Sequence, residues 1–212
     1  MISEFNPHLN YEYFEMCARG TRRILDEGFT PSRGGDISLR DPATGLIYIS
    51  GGLAEIPFPC SNFLEVEMPD ASVFTLDGTP LFKNKLATIE LPMHLAIFRA
   101  RPDINCVLHI HAQWSTVFAM TGESLPHFPV NTENHDKFKS SSTVHTAEYA
   151  PAGAVEVGNY VVKALGDGFA AMLANHGAVV VGKSMECAFT NAKLLENASQ
   201  KLIYEKLLSR RK

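Results

Sequence analysis

Asn105-Cys106-Val107-Leu108-His109-Ile110-His111 decides how the rest of the chain is read. Side chains alternate across a β-strand, so residues two apart share a face. In a strand here, Cys106, Leu108 and Ile110 line one face, and Asn105, Val107, His109 and His111 the other. Two imidazoles side by side at the end of an apolar strand supply half of a transition-metal site. Two hydrogen-bonded histidines on an exposed strand face would give the same spacing, so the flanking sequence has to decide.

Immediately upstream, Thr88 can cap a helix running to about Arg99, with Pro92 in its first turn, where backbone donors lack intrahelical partners. Glu90 and His94 are four apart and would share a face among largely apolar neighbours. A carboxylate in such surroundings needs a partner. Glu90 therefore either pairs with His94 or points into a site. Downstream, Ala112 to Met120 reads as a short helix. The polar stretch 121–150 follows, carrying His127, Glu133, His135, Asp136, Lys137, Lys139 and His145. A connection this long suits a lid or an interface segment. Pro151 to Leu165 reads as a helix stopped by Gly166-Asp167-Gly168. Two strands, Phe169–Ala174 and Ala178–Val181, then flank the tight turn Asn175-His176-Gly177, and Ser184 caps a long amphipathic helix to about Leu208. His176 at that turn would complete a set of three histidines and one glutamate with His109, His111 and Glu90.

Working towards the N-terminus, the spacing predicts strands over Val73–Leu76, Leu46–Ser50 and Ile37–Arg40, and a helix over Asn10–Glu27 closed by Gly28. Asp77-Gly78 is a hairpin signal. Two small-residue turns stand out: Thr30-Pro31-Ser32-Arg33-Gly34-Gly35-Asp36 and Ser50-Gly51-Gly52. Adjacent glycines let backbone amides approach an anion closely.

With 212 residues and 45% hydrophobic composition, the chain suits a single ordered domain over 1–212. A net charge of −4 with 19 scattered basic residues leaves no electrostatic footprint for nucleic acid. No apolar run approaches the ~20 residues of a membrane span. The first residues lack the pattern of a signal peptide. Cys17, Cys60, Cys106 and Cys187 read as separate free thiols, so the expectation is a cytoplasmic protein.

Taken together, these blocks resemble the class II aldolase/epimerase family, the enzymes of the fuculose-phosphate aldolase and ribulose-phosphate 4-epimerase type. The resemblance is carried by Glu90 through His94 to Asp103, by His109-Ile110-His111, and by Ala174-Asn175-His176-Gly177 with Val181-Gly182. Tyr149 to Gly153 and Gly35-Asp36-Ile37-Ser38 add to it, and the match extends over residues 10–205. It implies a three-layer α/β/α fold with a central, mainly antiparallel sheet. It also implies a divalent metal, zinc or another such as manganese, cobalt or iron, on His109, His111 and His176. Glu90 would be a fourth ligand and the general acid/base, with His94 in a packing or supporting role. The activity implied is that of a metal-dependent carbon–carbon lyase of the retro-aldol type working through a metal-stabilised enediolate. Decarboxylation of a hydroxy acid, sugar-phosphate epimerisation and dehydration are alternatives, and a scaffold like the adducin head is the non-enzymatic one. Members form homotetramers with active sites at subunit interfaces.

The substrate residues of the pattern fall on Arg33, Gly35, Asp36, Ser50, Gly51 and Thr88. Asp36 stands where the sugar-phosphate members have asparagine, and Ile89 where they have a second hydroxyl. Like charges ~4 Å apart cost about 1–4 kcal/mol. A carboxylate facing a phosphate would therefore point to an unphosphorylated substrate unless Arg33 compensates. The family's proton-donating tyrosine falls on Val130, which leaves Glu133, His135 and His145 as candidates.

Overall fold

The computed structural model describes residues 8–31, 34–51, 71–83, 88–126 and 143–209. Its elements are α1 (Tyr11–Asp26), β1 (Asp36–Arg40), β2 (Ile47–Ser50), β3 (Ala71–Phe74), β4 (Pro80–Phe82), α2 (Leu91–Ala100) and β5 (Cys106–Ile110). These are followed by α3 (Gln113–Ala119), β6 (Thr146–Ala147), α4 (Val155–Leu165), β7 (Ala170–Leu173), β8 (Gly177–Gly182) and α5 (Met185–Ser209). The eight strands form one sheet in the order β4-β3-β2-β1-β5-β8-β7-β6. Every pairing is antiparallel except that of β6 with β7.

Alternation along β1 sets the layers. Ser38 and Arg40 reach His94 and the Phe98 carbonyl of α2, whereas Ile37 packs against Gly20 of α1. So α1 and α2 cover opposite faces of the sheet. Next to α2, Gly158 of α4 lies against Ala96 and Pro92. On the other face, Phe29 just beyond α1 and Arg23 within it meet Phe189 and Glu186 of α5, and Trp114 of α3 stacks near Tyr204 of α5. The result is the expected α/β/α sandwich. With both faces covered, β5 is buried along its whole length, which is why it reads as a continuous apolar run interrupted only by His109.

The differences from the sequence reading have local causes. Helix α2 begins at Leu91, not Thr88, because the Thr88 hydroxyl turns away to Asp36 and accepts from the Glu90 amide. Glu90 is thus the residue before the helix and not on its face. Helix α4 begins at Val155, not Pro151, because Gly153 adopts φ +79°, outside the right-handed helical region. Strands β4 and β6 carry too few residues to give a periodic signal.

Candidate metal centre

Sheet register brings the histidines together. β5 carries His109 and ends at Ile110, and the His111 amide then bonds the Phe29 carbonyl, holding the chain beside α1. Its neighbour β8 begins at Gly177 and pairs Ala178 with Ile110 and Val179 with His109. The β7–β8 turn therefore places His176 beside the end of β5. Asn175, at φ 56°, makes that turn in a left-handed conformation that asparagine tolerates better than most residues. The ring centroids lie 4.6, 4.8 and 5.0 Å apart, and a ligating nitrogen from each ring falls within 4.8 Å of the others.

The protonation pattern suits a cation. His109 Nδ1 is 3.2 Å from the Ala178 carbonyl, which can only accept, so the ring donates there and its Nε2 carries a bare lone pair. That Nε2 is 2.9 Å from Nε2 of His111. A tetrahedral zinc-sized ion bonded at about 2.0–2.1 Å holds its nitrogens about 3.3 Å apart; this pair is closer than that and the three ligating atoms lie within 4.8 Å of one another. Burial lowers the His109 pKa to about 3, helped by the neighbouring imidazoles and opposed by Asp36. Burial also takes His111 to about 4, and lowers His176. Three neutral imidazoles at pH 7 need no deprotonation to bind a metal.

These shifts have a measurable consequence for the metal-free protein. A histidine whose folded pKa lies below its unfolded value contributes its full stability above pH ~6.5 and loses it as the pH falls towards the folded value. Between pH 7 and 5 the expected loss is on the order of 2 kcal/mol for His109 alone. Chelator-treated protein should unfold at lower denaturant concentration at pH 5 than at pH 7, and equal midpoints would contradict the neutral triad. Asp36, whose burial is outweighed by His94 and the Thr88 hydroxyl so that its pKa is held down to about 2, keeps its stabilising contribution through this window and loses it only below pH ~4.

Glu90 lies near Asp36, which is itself the partner of His109 in the β1–β5 pairing. Glu90 is 4% exposed, and burial, with Asp36 nearby, raises its pKa. The Gly153 amide donates to its carboxylate, while Oε2 is buried with no hydrogen-bond partner. Glu90 does not join the three imidazoles within their 4.8 Å cluster; its electrostatic neighbours are Asp36 and His94. A partnerless buried oxygen is what a metal or a substrate proton would engage, so the residues present fit a bound divalent ion.

The substrate residues divide differently from the sequence reading. Asp36, 2% exposed, does not face a ligand: Oδ1 is 2.7 Å from His94 Nε2, and Oδ2 accepts from the Thr88 hydroxyl at 2.6 Å. This corrects the expectation that its charge would oppose a phosphate. Thr88 is likewise engaged internally, and the buried Ser50 hydroxyl accepts from the Ile37 amide. Gly35 packs on the His109 carbonyl. Gly51 is buried at the end of β2. His145 is exposed beside β6 at the sheet edge, 3.3 Å from Ser124 Oγ, and is not brought to the triad. Arg33, Val130, Glu133 and His135 lie outside the described residues.

Two glycines have a role the sequence reading missed. A Cβ on Gly34 would sit 2.6 Å from the His111 ring. One on Gly177 would sit 2.8 Å from His111 Cδ2 and closer still to the Ile110 carbonyl. Both positions admit the imidazole only because no side chain is there. The dipeptides Gly34-Gly35 and His176-Gly177 carry that signal, although the first, taken alone, reads as a turn before a hairpin strand.

The family model for the Class II Aldolase and Adducin N-terminal domain matches residues 15–203. The chain belongs to this family. Among relatives of this class II aldolase family member, the 5-deoxy-D-ribulose 1-phosphate aldolase of Bacillus thuringiensis is 28% identical over 192 residues, covering 91% of this chain and 84% of the relative. The L-fuculose phosphate aldolase of Methanococcus maripaludis is 31% identical over 190 residues, covering 89% and 93%. A solved L-fuculose 1-phosphate aldolase superposes with a TM-score of 0.81 at 24% identity, over 96% of this chain and 91% of that one, which bears on the fold. The class II aldolase-family chain is thus an enzyme of the lyase class with a divalent-metal site. Among its described residues no helix is long and apolar enough to cross a membrane.

Proposed function

We propose that the protein cleaves a phosphorylated ketose by a retro-aldol reaction, with His109, His111 and His176 holding a zinc ion and Glu90 moving the proton. The observation that carries this reading is a cluster of three imidazoles held neutral by burial, with Asp36 as the common neighbour of His109 and of Glu90, whose own oxygen is buried and partnerless. A divalent ion there would supply Lewis acidity to the substrate's carbonyl and neighbouring hydroxyl oxygens.

The protein side of the reaction follows from the geometry. The C3–C4 bond of a ketose 1-phosphate breaks, its electron pair is drawn towards the C2 carbonyl, and the C4 hydroxyl gives its proton to the Glu90 carboxylate as it becomes an aldehyde. C3 must then gain a proton. Glu90 can return that proton to C3, and the rise that burial gives its pKa favours the protonated form from which it does so. The Gly153 amide holds the carboxyl in place. Ala178 orients His109 from behind. Because Asp36 is tied to His94 and Thr88, its carboxylate no longer argues against a phosphorylated substrate.

We further infer a homotetramer with active sites at subunit interfaces. This reading is supported by large apolar side chains left exposed on or beside α3 and α5: Val117, Met120, Tyr204, Leu207 and Leu208.

The test is cleavage of L-fuculose 1-phosphate and 5-deoxy-D-ribulose 1-phosphate by zinc-loaded protein, read as release of dihydroxyacetone phosphate. Light scattering alongside should give four copies of the 23.3 kDa chain. Release of CO₂ from hydroxy acids with neither sugar phosphate cleaved would replace the aldolase reading by the decarboxylase one.

A further inference from the structure

A buried polar chain lies beside the histidine triad. It starts at Ser38 on β1, whose Oγ is 2.6 Å from His94 Nδ1. It continues from His94 Nε2 to Asp36 Oδ1 at 2.7 Å, and from Asp36 Oδ2 to the Thr88 hydroxyl at 2.6 Å. It ends where the Glu90 amide donates to Thr88 Oγ1 at 3.1 Å. All five residues are buried.

The direction of the hydrogen bonds follows from Asp36. An ionised carboxylate only accepts, and one this deep must be satisfied at both oxygens. The single proton of Thr88 goes to Oδ2, which leaves the hydroxyl oxygen to accept the Glu90 amide. Thr88 therefore has no proton to offer a substrate. Glu90 sits in a turn before α2, so its amide has no helical acceptor. Two contacts hold it: its amide by Thr88, and its carboxylate by the Gly153 amide.

We propose that the Ser38–His94–Asp36–Thr88 chain sets the position of Glu90, making His94 and Thr88 positioning residues that act on the reaction only through it. This rests on the reading of Glu90 as the proton-transfer group. A misplacement of about 1 Å can cost about 10²-fold in rate, which sets the expected scale.

The experiment compares Thr88→Val, Thr88→Ser, His94→Phe and Glu90→Gln, alone and with Glu90→Gln as background, in zinc-loaded protein on a cleaved ketose phosphate. Thr88→Val and His94→Phe should each lower kcat about 10²-fold with KM nearly unchanged, and Thr88→Ser should restore it. Neither should lower kcat further once Glu90 is glutamine, because residues acting through one group are not additive. In metal-free protein, amide exchange at Glu90 should accelerate in both variants while the interior of α2 stays protected. Thr88→Val removes a single hydroxyl and carries the test if His94→Phe does not fold. A raised KM with kcat unchanged would make Thr88 a substrate contact and overturn the proposal, as would additive losses or an unchanged exchange rate. Full activity in Glu90→Gln alone would instead overturn the role given to Glu90.

Discussion

His109→Ala should abolish stoichiometric binding of a divalent metal and reduce activity to background. His109 is the most buried of the three imidazoles, and its lone pair is aimed by the Ala178 carbonyl. Losing only the group behind a ligand costs about 10–100-fold in metal affinity; losing the ligand should cost more. Two measurements check this. Metal analysis after dialysis should fall from one equivalent per chain to near none. The thermal stabilisation that zinc gives the wild type should vanish, since a ligand at about a thousandfold excess over its dissociation constant contributes about 4 kcal/mol. In the presence of chelator the variant should melt somewhat below the wild type at pH 7, because it loses buried packing and the hydrogen bond to the Ala178 carbonyl, and the gap should narrow towards pH 5, where the buried imidazole is costly to protonate. A variant that kept its metal equivalent and its zinc-dependent shift would eliminate this cluster as the metal centre.

How much of this was legible in the sequence depends on the range of each interaction. The histidine strand and the His176 turn could be read because alternation and tight-turn chemistry are local rules, and β5 and β8 do pair so that the turn ends beside His109. The three-layer architecture was implied by the family resemblance, and the eight-stranded sheet with helices on both faces bears it out. The reading of Asp36 failed for a non-local reason. Its side chain is fixed by His94, 58 positions away on another element, and by Thr88, at a separation of 52. The sequence offered Glu90 and His94 as partners on one helix face, whereas the helix begins after Glu90 and His94 pairs with Asp36 and Ser38. Gly34 and Gly177 were visible as glycines, but their contact with His111 depends on three strands meeting at one end of the sheet.

Glu90→Gln separates chemistry from architecture in this site. Glutamine keeps the shape and the carbonyl oxygen that accepts from the Gly153 amide, and it loses both the charge and the exchangeable acid proton. Removing a positioned acid/base group typically costs 10²–10⁴-fold, so kcat should fall by about that factor while KM changes little. Stability should move the other way. Burial raises the Glu90 pKa above its unfolded value, so the protonated side chain is fully compatible with the fold below the unfolded pKa. As the pH rises through the folded value, ionisation opposes folding and stability is lost. Glutamine does not ionise, so the metal-free variant should be at least as stable as the wild type at pH 7–8, with the advantage shrinking towards pH 4. Parallel kcat and denaturation measurements across that range decide the matter. A large fall in kcat with unchanged or increased stability places proton transfer on Glu90. A fall in both would mean that the carboxylate supports the fold, and the search for the acid would move to residues 127–142, where Glu133 and His135 lie.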